Sequence, residues 1–179
     1  MALAYCKERG AICLGVTNTV GSTISRETLC GVHINAGPEI SVASTKAYTS
    51  QYIALTMIAL QLSDDNYSKN QRRRDIINGL YELSNNIRKV TAQDAEIKRI
   101  AGKLLDKQHL LLLGRGYQGA TVLEGALKIK EVSYIHAEGI LAGELKHGPL
   151  ALIDENMPIL LIMNNDRFYA VCVYCGVTF

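Results

Sequence analysis

The sequence carries little excess charge of either sign. Its 179 residues include 19 lysines and arginines and 17 aspartates and glutamates, which gives a net charge of +2. Because the two signs are well mixed, there is no electrostatic reason to expect nucleic acid as a partner. The densest basic stretch, residues 72–74, is predicted to form the solvated face or the first turn of a helix, and phosphate binding is the alternative.

The sequence also lacks a long apolar run. The most apolar stretch, "YIALTMIALQL" at residues 52–62, is too short to cross a bilayer and predicts a buried helix. No basic segment followed by an apolar segment opens the chain, so no secretory signal is predicted. These features predict a cytoplasmic protein that does not associate with membranes.

The five cysteines show no disulfide framework. Their number is odd and their spacing irregular, which favours a reducing compartment. Cys172 and Cys175 form one C-x-x-C, so a metal or redox role is the alternative there. The four histidines are not spaced to supply a second pair of zinc ligands. We therefore predict no metal site.

Short apolar runs alternate with longer stretches of helical periodicity. Strands are predicted at 11–18, 30–37, 109–113 and 158–164, and helices at 43–62, 71–91, 94–107 and 119–133. The polar segment "NTVGSTISRET" after the first strand is predicted to be a loop. This alternation predicts an α/β fold built around a parallel sheet.

A glycine-rich turn follows the third predicted strand. Gly114, Gly116 and Gly119 fit G-x-G-x-x-G, and Glu138 lies 19 residues further on, where a ribose-binding acid would stand. The sequence around this acid, "EVSYIHAEGI", lacks the clean apolar run of such a strand, and no strand is predicted there. NAD binding therefore competes with the simpler interpretation that glycine is selected by close packing at a tight turn.

Charged residues recur at helical spacing after the glycine turn. Glu124, Lys128 and Glu131 stand at i, i+4 and i+7, so they share one face of a helix. The apolar residues off that stripe are expected to pack inward: Leu123, Ala126, Leu127 and Val132. The alternative for the stripe is an exposed ion-pair ladder with no further role.

A histidine follows in a short helical piece. His147 precedes Gly148 and Pro149, which end the piece in "AGELKHGP". A histidine at a helix end near carboxylates can act as an acid or base at neutral pH. A purely structural histidine is the alternative.

Two long segments resemble a known family. They are similar to the isomerase region of glutamine:fructose-6-phosphate aminotransferase, in the form that eukaryotic sequences have. The two segments are "LLLGRG...LEGALKIKEVSYIHAEGILAGELKHGPLALID" and "SRETLCGVHINAGPEISVASTKAYTSQ". The resemblance implies two sugar isomerase (SIS) domains, each a doubly wound parallel sheet flanked by helices. It implies production of glucosamine 6-phosphate from fructose 6-phosphate and ammonia, with neither NAD nor another cofactor.

The resemblance implies a division of the chain into four parts. Residues 1–62 correspond to the end of the first SIS domain, 63–93 to connecting helices and 94–164 to the start of the second SIS domain, while 165–179 diverge from the family. The two lobes are therefore expected to be incomplete and the chain to be truncated at both ends. The divergent tail is expected to come from a truncated, alternatively spliced or misassembled gene model.

The resemblance also assigns roles. In the family, the segment that matches residues 42–46 lies at the start of a helix, whose free N–H groups favour an anion. Val42 and Ser44 match its substrate contacts, Thr45 and Lys46 continue the motif, and Ser41 replaces a glycine usual in the family. N-capping of the helix by Ser44 is the alternative.

The resemblance assigns roles to the charged stripe as well. Glu131 matches the base that moves a proton between C1 and C2, and Lys128 matches a neighbouring active-site lysine. Glu124 is the next residue of the stripe. His147 matches the ring-opening histidine, which the partner subunit supplies in the family, so a homodimer is implied.

Three parts of the family's enzyme are not found in the sequence. They are the phosphate-binding "S-Q-S-G-E-T" loop, the glutaminase domain and the lysine that forms an imine with the ketose. The chain alone is therefore expected not to make glucosamine 6-phosphate. The alternatives are a catalytically silent sugar-phosphate-binding or dimerisation module and an NAD-dependent oxidoreductase.

Overall fold

The computed structural model describes residues 2–64, 67–167 and 169. It divides into two compact units, Met1–Gln93 and Asp94–Phe179. Among the described residues, no helix has the length and apolar character needed to cross a membrane. The assignment of chain segments to two SIS lobes stays a prediction.

The first unit consists of a short parallel sheet and helices. Its elements are α1 (Ala2–Glu8), β1 (Leu14–Thr17), α2 (Thr23–Glu27), β2 (Cys30–His33), α3 (Ala47–Leu62), a 3₁₀ turn (Tyr67–Lys69) and α4 (Asn70–Thr91). Strands β1 and β2 pair in parallel, with Leu14 opposite Cys30. The expectation of a plain loop after β1 is wrong, because α2 forms there. Ser22 caps this helix by accepting a hydrogen bond from the Ser25 backbone N–H.

The basic stretch at residues 72–74 lies in the first turn of α4, as predicted. Arg73 donates hydrogen bonds to the Leu60 carbonyl oxygen and, at 3.0 Å, to Ser63 Oγ. It also pairs with Asp64 at 2.6 Å. A cation at the carboxyl end of a helix complements the free carbonyls and the helix dipole. Arg73 therefore joins α4 to the end of α3. These contacts account for an arginine at this position, so no phosphate ligand is needed to explain it.

The second unit contains a three-stranded parallel sheet. Its elements are α5 (Asp94–Gly102), β3 (His109–Gly114), α6 (Gln118–Ser133), β4 (His136–Leu141), two 3₁₀ turns (Leu145–His147 and Pro149–Leu152) and β5 (Ile159–Leu161). The strand order is β4-β3-β5. Leu111 of β3 stands opposite Glu138 on one side and Ile159 on the other.

Strand β4 was not predicted from the sequence. Polar residues interrupt its apolar pattern, yet Ala137 and Ile140 are buried. Gly139 lies against the backbone of α6 at Val122 and Leu123. A strand with one glycine in close contact with a helix presents few apolar side chains, so hydrophobic periodicity does not reveal it.

The four leucines of β3 are buried on alternate faces of the sheet. Leu110 and Leu112 form one cluster with Val122, Ala126 and Ala137, residues of α6 and β4. The residues of the second cluster are Leu111, Leu113, Ile140, Ala142 and Leu145. Burial on both faces explains why this strand is a continuous apolar run.

We predict that Gly139→Ala destabilises the second unit. A Cβ at this position would lie 2.7 Å from the Val122 carbonyl oxygen and 2.9 Å from Leu123 Cα, so α6 would have to move away from the sheet. Overpacking of this kind costs about 1–3 kcal/mol. The measurement is the free energy of unfolding of the chain in urea.

Gly79→Ala is the matched control for this prediction. Gly79 lies in α4, and a Cβ there meets nothing within 4 Å. Replacing a helical glycine by alanine should raise stability by about 0.5–1 kcal/mol. Equal effects of the two substitutions would contradict the close contact at Gly139.

Candidate active site

The predicted charged stripe forms a connected ladder on α6. Lys128 Nζ lies 2.6 Å from Glu131 Oε2 and 3.5 Å from Glu124 Oε1. The side chains of Glu124, Lys128 and Glu131 are 25%, 26% and 19% exposed. The ladder is therefore partly withdrawn from water, unlike an ordinary surface ion pair.

The face of α6 that packs on the sheet differs from the predicted one. Its buried residues are Gly119, Val122 and Ala126. Leu123, Leu127 and Val132 were expected to pack inward, but they are 58%, 43% and 63% exposed. The prediction was correct only for Ala126. Small side chains at the contact let α6 approach the sheet closely, so the larger leucines are turned aside.

Lys128 remains a cation throughout the neutral range. Its hydrogen bond to Glu131 is the largest cause of a raised pKa, and the charges of Glu131 and Glu124 act in the same direction, while partial burial opposes them. The ammonium group therefore holds Glu131 by a charge-assisted hydrogen bond and Glu124 as an ion pair.

His147 ends the first 3₁₀ turn of the second unit. Leu145, two residues earlier, is 1% exposed and anchors this turn in the core. The imidazole itself is 72% exposed, and its Nδ1 lies 3.2 Å from Glu144 Oε2. Gly148 follows with φ of +139°, a backbone conformation that favours glycine. The turn is thus fixed by its leucine while the imidazole stays accessible.

The loop that precedes α3 carries the other predicted contacts. Helix α3 begins at Ala47, four residues later than expected, so Val42, Ser44 and Thr45 lie in the loop. Val42 is 83% exposed, whereas Ala43 beside it is 3% exposed. The alternative role of Ser44 as the N-cap is wrong, because Lys46 occupies the N-cap position without a side-chain cap bond.

A carboxylate that was not singled out in the sequence caps α3 instead. Glu39 Oε1 accepts hydrogen bonds from the backbone N–H groups of Ala47 at 2.7 Å and Lys46 at 2.9 Å. The helix terminus that was expected to favour a ligand anion thus already contacts an anion of the protein. The sequence signal is an acid eight residues before the helix start, a spacing outside the usual capping box.

The glycines of the turn after β3 have steric explanations. Gly116 has a φ of +59°. A Cβ at Gly114 would lie 2.7 Å from the Gln118 carbonyl oxygen, and one at Gly119 would collide with Leu141. Glu138 lies in the middle of β4, opposite Leu111, rather than at its carboxyl end. These positions favour the packing interpretation of the turn over NAD binding.

Possible metal ligands are the histidine, cysteine, aspartate and glutamate side chains. Within residues 2–64, 67–167 and 169, no three histidine, cysteine, aspartate or glutamate side chains are placed to hold a metal ion. Cys6, Cys13 and Cys30 are free thiols. Cys172 and Cys175, the C-x-x-C pair, lie outside the described residues.

The SIS domain family matches residues 1–61 and 103–172, which include the α3 loop, the α6 ladder and His147. The chain belongs to this family. The glutamine–fructose-6-phosphate aminotransferase [isomerizing] 1 of Rattus norvegicus is 60% identical over 172 residues, 96% of this chain and 25% of that protein. The corresponding enzyme of Encephalitozoon cuniculi is 62% identical over 170 residues, 94% of this chain and 24% of that protein.

The solved structures agree with the sequence relatives. The C-terminal domain of glucosamine-fructose-6-phosphate aminotransferase from Francisella tularensis superimposes with a TM-score of 0.93 at 36% identity, covering 98% of this chain and 50% of that chain. The chain spans about a quarter of the length of the curated relatives it matches. The predicted fold class and the predicted family are confirmed, while the roles of the site residues stay predictions.

We predict that Glu39 titrates below the ordinary value of 4.5 for a glutamate. Its pKa is lowered first by the Ala47 N–H and then by the Lys46 N–H, which stabilise the ionised form. Because the folded pKa lies below the unfolded one, this stabilisation is complete above about pH 4.5 and is lost as the pH falls through the folded pKa. NMR titration of the Glu39 side-chain carbon measures the midpoint, and a value at or above 4.5 would contradict the capping contact.

Proposed function

We propose that this chain is part of an isomerising glutamine–fructose-6-phosphate aminotransferase and that its own residues bind a sugar phosphate. The observation that carries the proposal is the half-buried ladder of Glu124, Lys128 and Glu131 on α6. It occurs in a chain of the SIS family that is about 60% identical to enzymes of that name. The sugar substrate is fructose 6-phosphate, the product is glucosamine 6-phosphate, and the place of action is the cytoplasm.

Glu131 is the base of the proposed reaction. Its carboxylate removes a proton from C1 of the open-chain sugar and returns it to C2, while a second proton moves from the C1 hydroxyl to the heteroatom on C2, so that the aldehyde forms at C1. When ammonia has first replaced the C2 carbonyl oxygen, with water as the leaving group, this transfer gives the 2-amino aldose, glucosamine 6-phosphate. Lys128 positions Glu131 through the 2.6 Å hydrogen bond. The ladder thus combines one group that moves a proton with one that fixes it in place.

His147 opens the sugar ring in this proposal. The imidazole removes the proton of the anomeric hydroxyl and delivers a proton to the ring oxygen as the bond between that oxygen and the anomeric carbon breaks. An exposed imidazole on a core-anchored turn suits a group that acts on a substrate held by the other subunit of a homodimer. In the first unit, Val42, Ser44 and Thr45 are proposed sugar contacts, the two hydroxyl side chains as hydrogen-bonding partners. In the second unit, Glu124 is a proposed sugar contact.

We expect Glu131→Gln to weaken the binding of glucosamine 6-phosphate to the purified chain. A hydrogen bond between the sugar and a charged carboxylate contributes about 1.5–3 kcal/mol, so its loss corresponds to roughly 10- to 100-fold. Isothermal titration calorimetry measures this change.

Glu96→Gln is the matched control for Glu131→Gln. Glu96 also forms an i,i+3 ion pair on a helix of the second unit, with Arg99, but its side chain is 55% exposed. Its replacement should leave the affinity unchanged. Absence of binding by the unsubstituted chain, or equal losses in the two variants, would refute the proposed site.

A catalytically silent module is the second candidate function. The exposed apolar side chains of Leu123, Leu127 and Val132 on α6 favour an association surface. Deuterium incorporation at C1 of fructose 6-phosphate in D₂O separates the two functions, because it needs proton transfer but neither ammonia nor product formation. Binding of fructose 6-phosphate without deuterium incorporation would indicate the catalytically silent module.

We predict that mixing two inactive variants restores part of this exchange. Glu131→Gln lacks the base and His147→Asn lacks the ring-opening group, so each homodimer has two defective sites. Random hybrid dimers would place an intact Glu131 opposite an intact His147 at about a quarter of all sites. Recovery at that level supports a site shared between subunits, and no recovery would mean that each subunit supplies both groups itself.

A further inference from the structure

The carboxylate of Glu39 connects two ends of one loop. Its Oε1 accepts the backbone N–H groups of Lys46 and Ala47, and its Oε2 lies 3.4 Å from Thr45 Oγ1. Lys46 Nζ donates in turn to the Pro38 carbonyl oxygen at 2.9 Å. Two contacts in opposite directions therefore close residues 38–47 into a ring at the start of α3.

The residues inside this ring are those proposed to contact the sugar. Val42, Ser44 and Thr45 all lie between the two closing points. Ala43 is 3% exposed and is the buried anchor of the loop, and its N–H donates to Ser41 Oγ at 3.2 Å. The buried Ala43 side chain anchors the loop to the protein, while the Val42 side chain next to it is exposed to solvent.

The charge around Glu39 favours its ionised form. Lys46 is the cation that faces the carboxylate, and the other contacts are backbone N–H groups and the Thr45 hydroxyl. At neutral pH the carboxylate is therefore an acceptor at both oxygens. Hydrogen bonds to a charged acceptor are stronger than neutral ones, and this makes the ring stiffer than a turn closed by neutral groups.

We infer that Glu39 is a positioning residue of the sugar-phosphate site, which fixes the loop of residues 42–45 in the conformation that receives the sugar. This inference rests on the proposed function, because it gives the loop a ligand. Ordering the loop before binding removes an entropic cost that a flexible loop would incur on binding. Glu39 therefore acts on affinity without contacting the ligand.

The hydrogen bonds of the two Glu39 oxygens suggest variants that separate positioning of the loop from direct contact with the ligand. Both backbone N–H groups reach the same oxygen, Oε1. In Glu39→Gln the amide oxygen can take that place, and the amide nitrogen can donate to the Thr45 hydroxyl. Glutamine should thus keep the ring closed without a charge, whereas Glu39→Ala removes every contact.

The test measures glucosamine 6-phosphate affinity by calorimetry and amide hydrogen exchange of Lys46 and Ala47 in the free chain. For Glu39→Ala we expect affinity to fall about tenfold or more, since binding must then order the loop, and both amides to lose protection. Glu39→Gln should keep most of the affinity and most of the protection.

Glu27→Ala is the matched control, because Glu27 is an exposed carboxylate of the same unit that pairs with Lys7, outside the loop. It should change neither readout, and unchanged exchange in β1 and β2 verifies that each variant is folded. Equal affinity of Glu39→Ala and the unsubstituted chain would overturn the inference. So would a loss in Glu39→Gln as large as in Glu39→Ala, which would indicate direct contact through the charge. Failure of the unsubstituted chain to bind would instead refute the proposed function, while amide protection that depends on Glu39 would still be measured.

Discussion

The close approach of α6 to the sheet determines the geometry of the second unit. Gly139 of β4 lies against the helix backbone, and Gly114 and Gly119 permit the tight connection from β3 into the helix. Because the positions of closest contact are glycines, they fix the rotation of α6 about its axis. That rotation decides which helix positions face the sheet, which face outward, and where the charged ladder lies.

The ladder derives its chemical character from this placement. A Glu–Lys–Glu series on a fully exposed helix contributes little, because water screens each charge. Here the three side chains are at most about a quarter exposed, so Lys128 holds Glu131 in one orientation. In the first unit, Glu39 has a comparable effect on a loop. In both places a charge-assisted hydrogen bond fixes a group that is proposed to meet the sugar.

The sequence predicted best where one periodic pattern covered a whole element. The leucine run of β3, the helix α6 and the charged stripe on it all follow from spacing alone. Prediction failed for β4, whose buried residues are one alanine and one isoleucine beside a half-buried glycine. It failed also for α2, a five-residue helix within a polar stretch. It also failed for the inward packing of Leu123 and Leu127, because periodicity identifies an apolar face but not the glycines on a neighbouring strand that select a different one. Glu39 was missed because its partners lie seven and eight residues away, a distance that depends on the path of the loop.

Strand β3 pairs with a neighbour on each side and contributes leucines to the clusters on both faces of its sheet. Opening either cluster therefore weakens the packing of the strand on which the other cluster depends. We expect β3, β4 and α6 to unfold together, and the backbone amides of β3 to be among the last in this unit to exchange with solvent hydrogen.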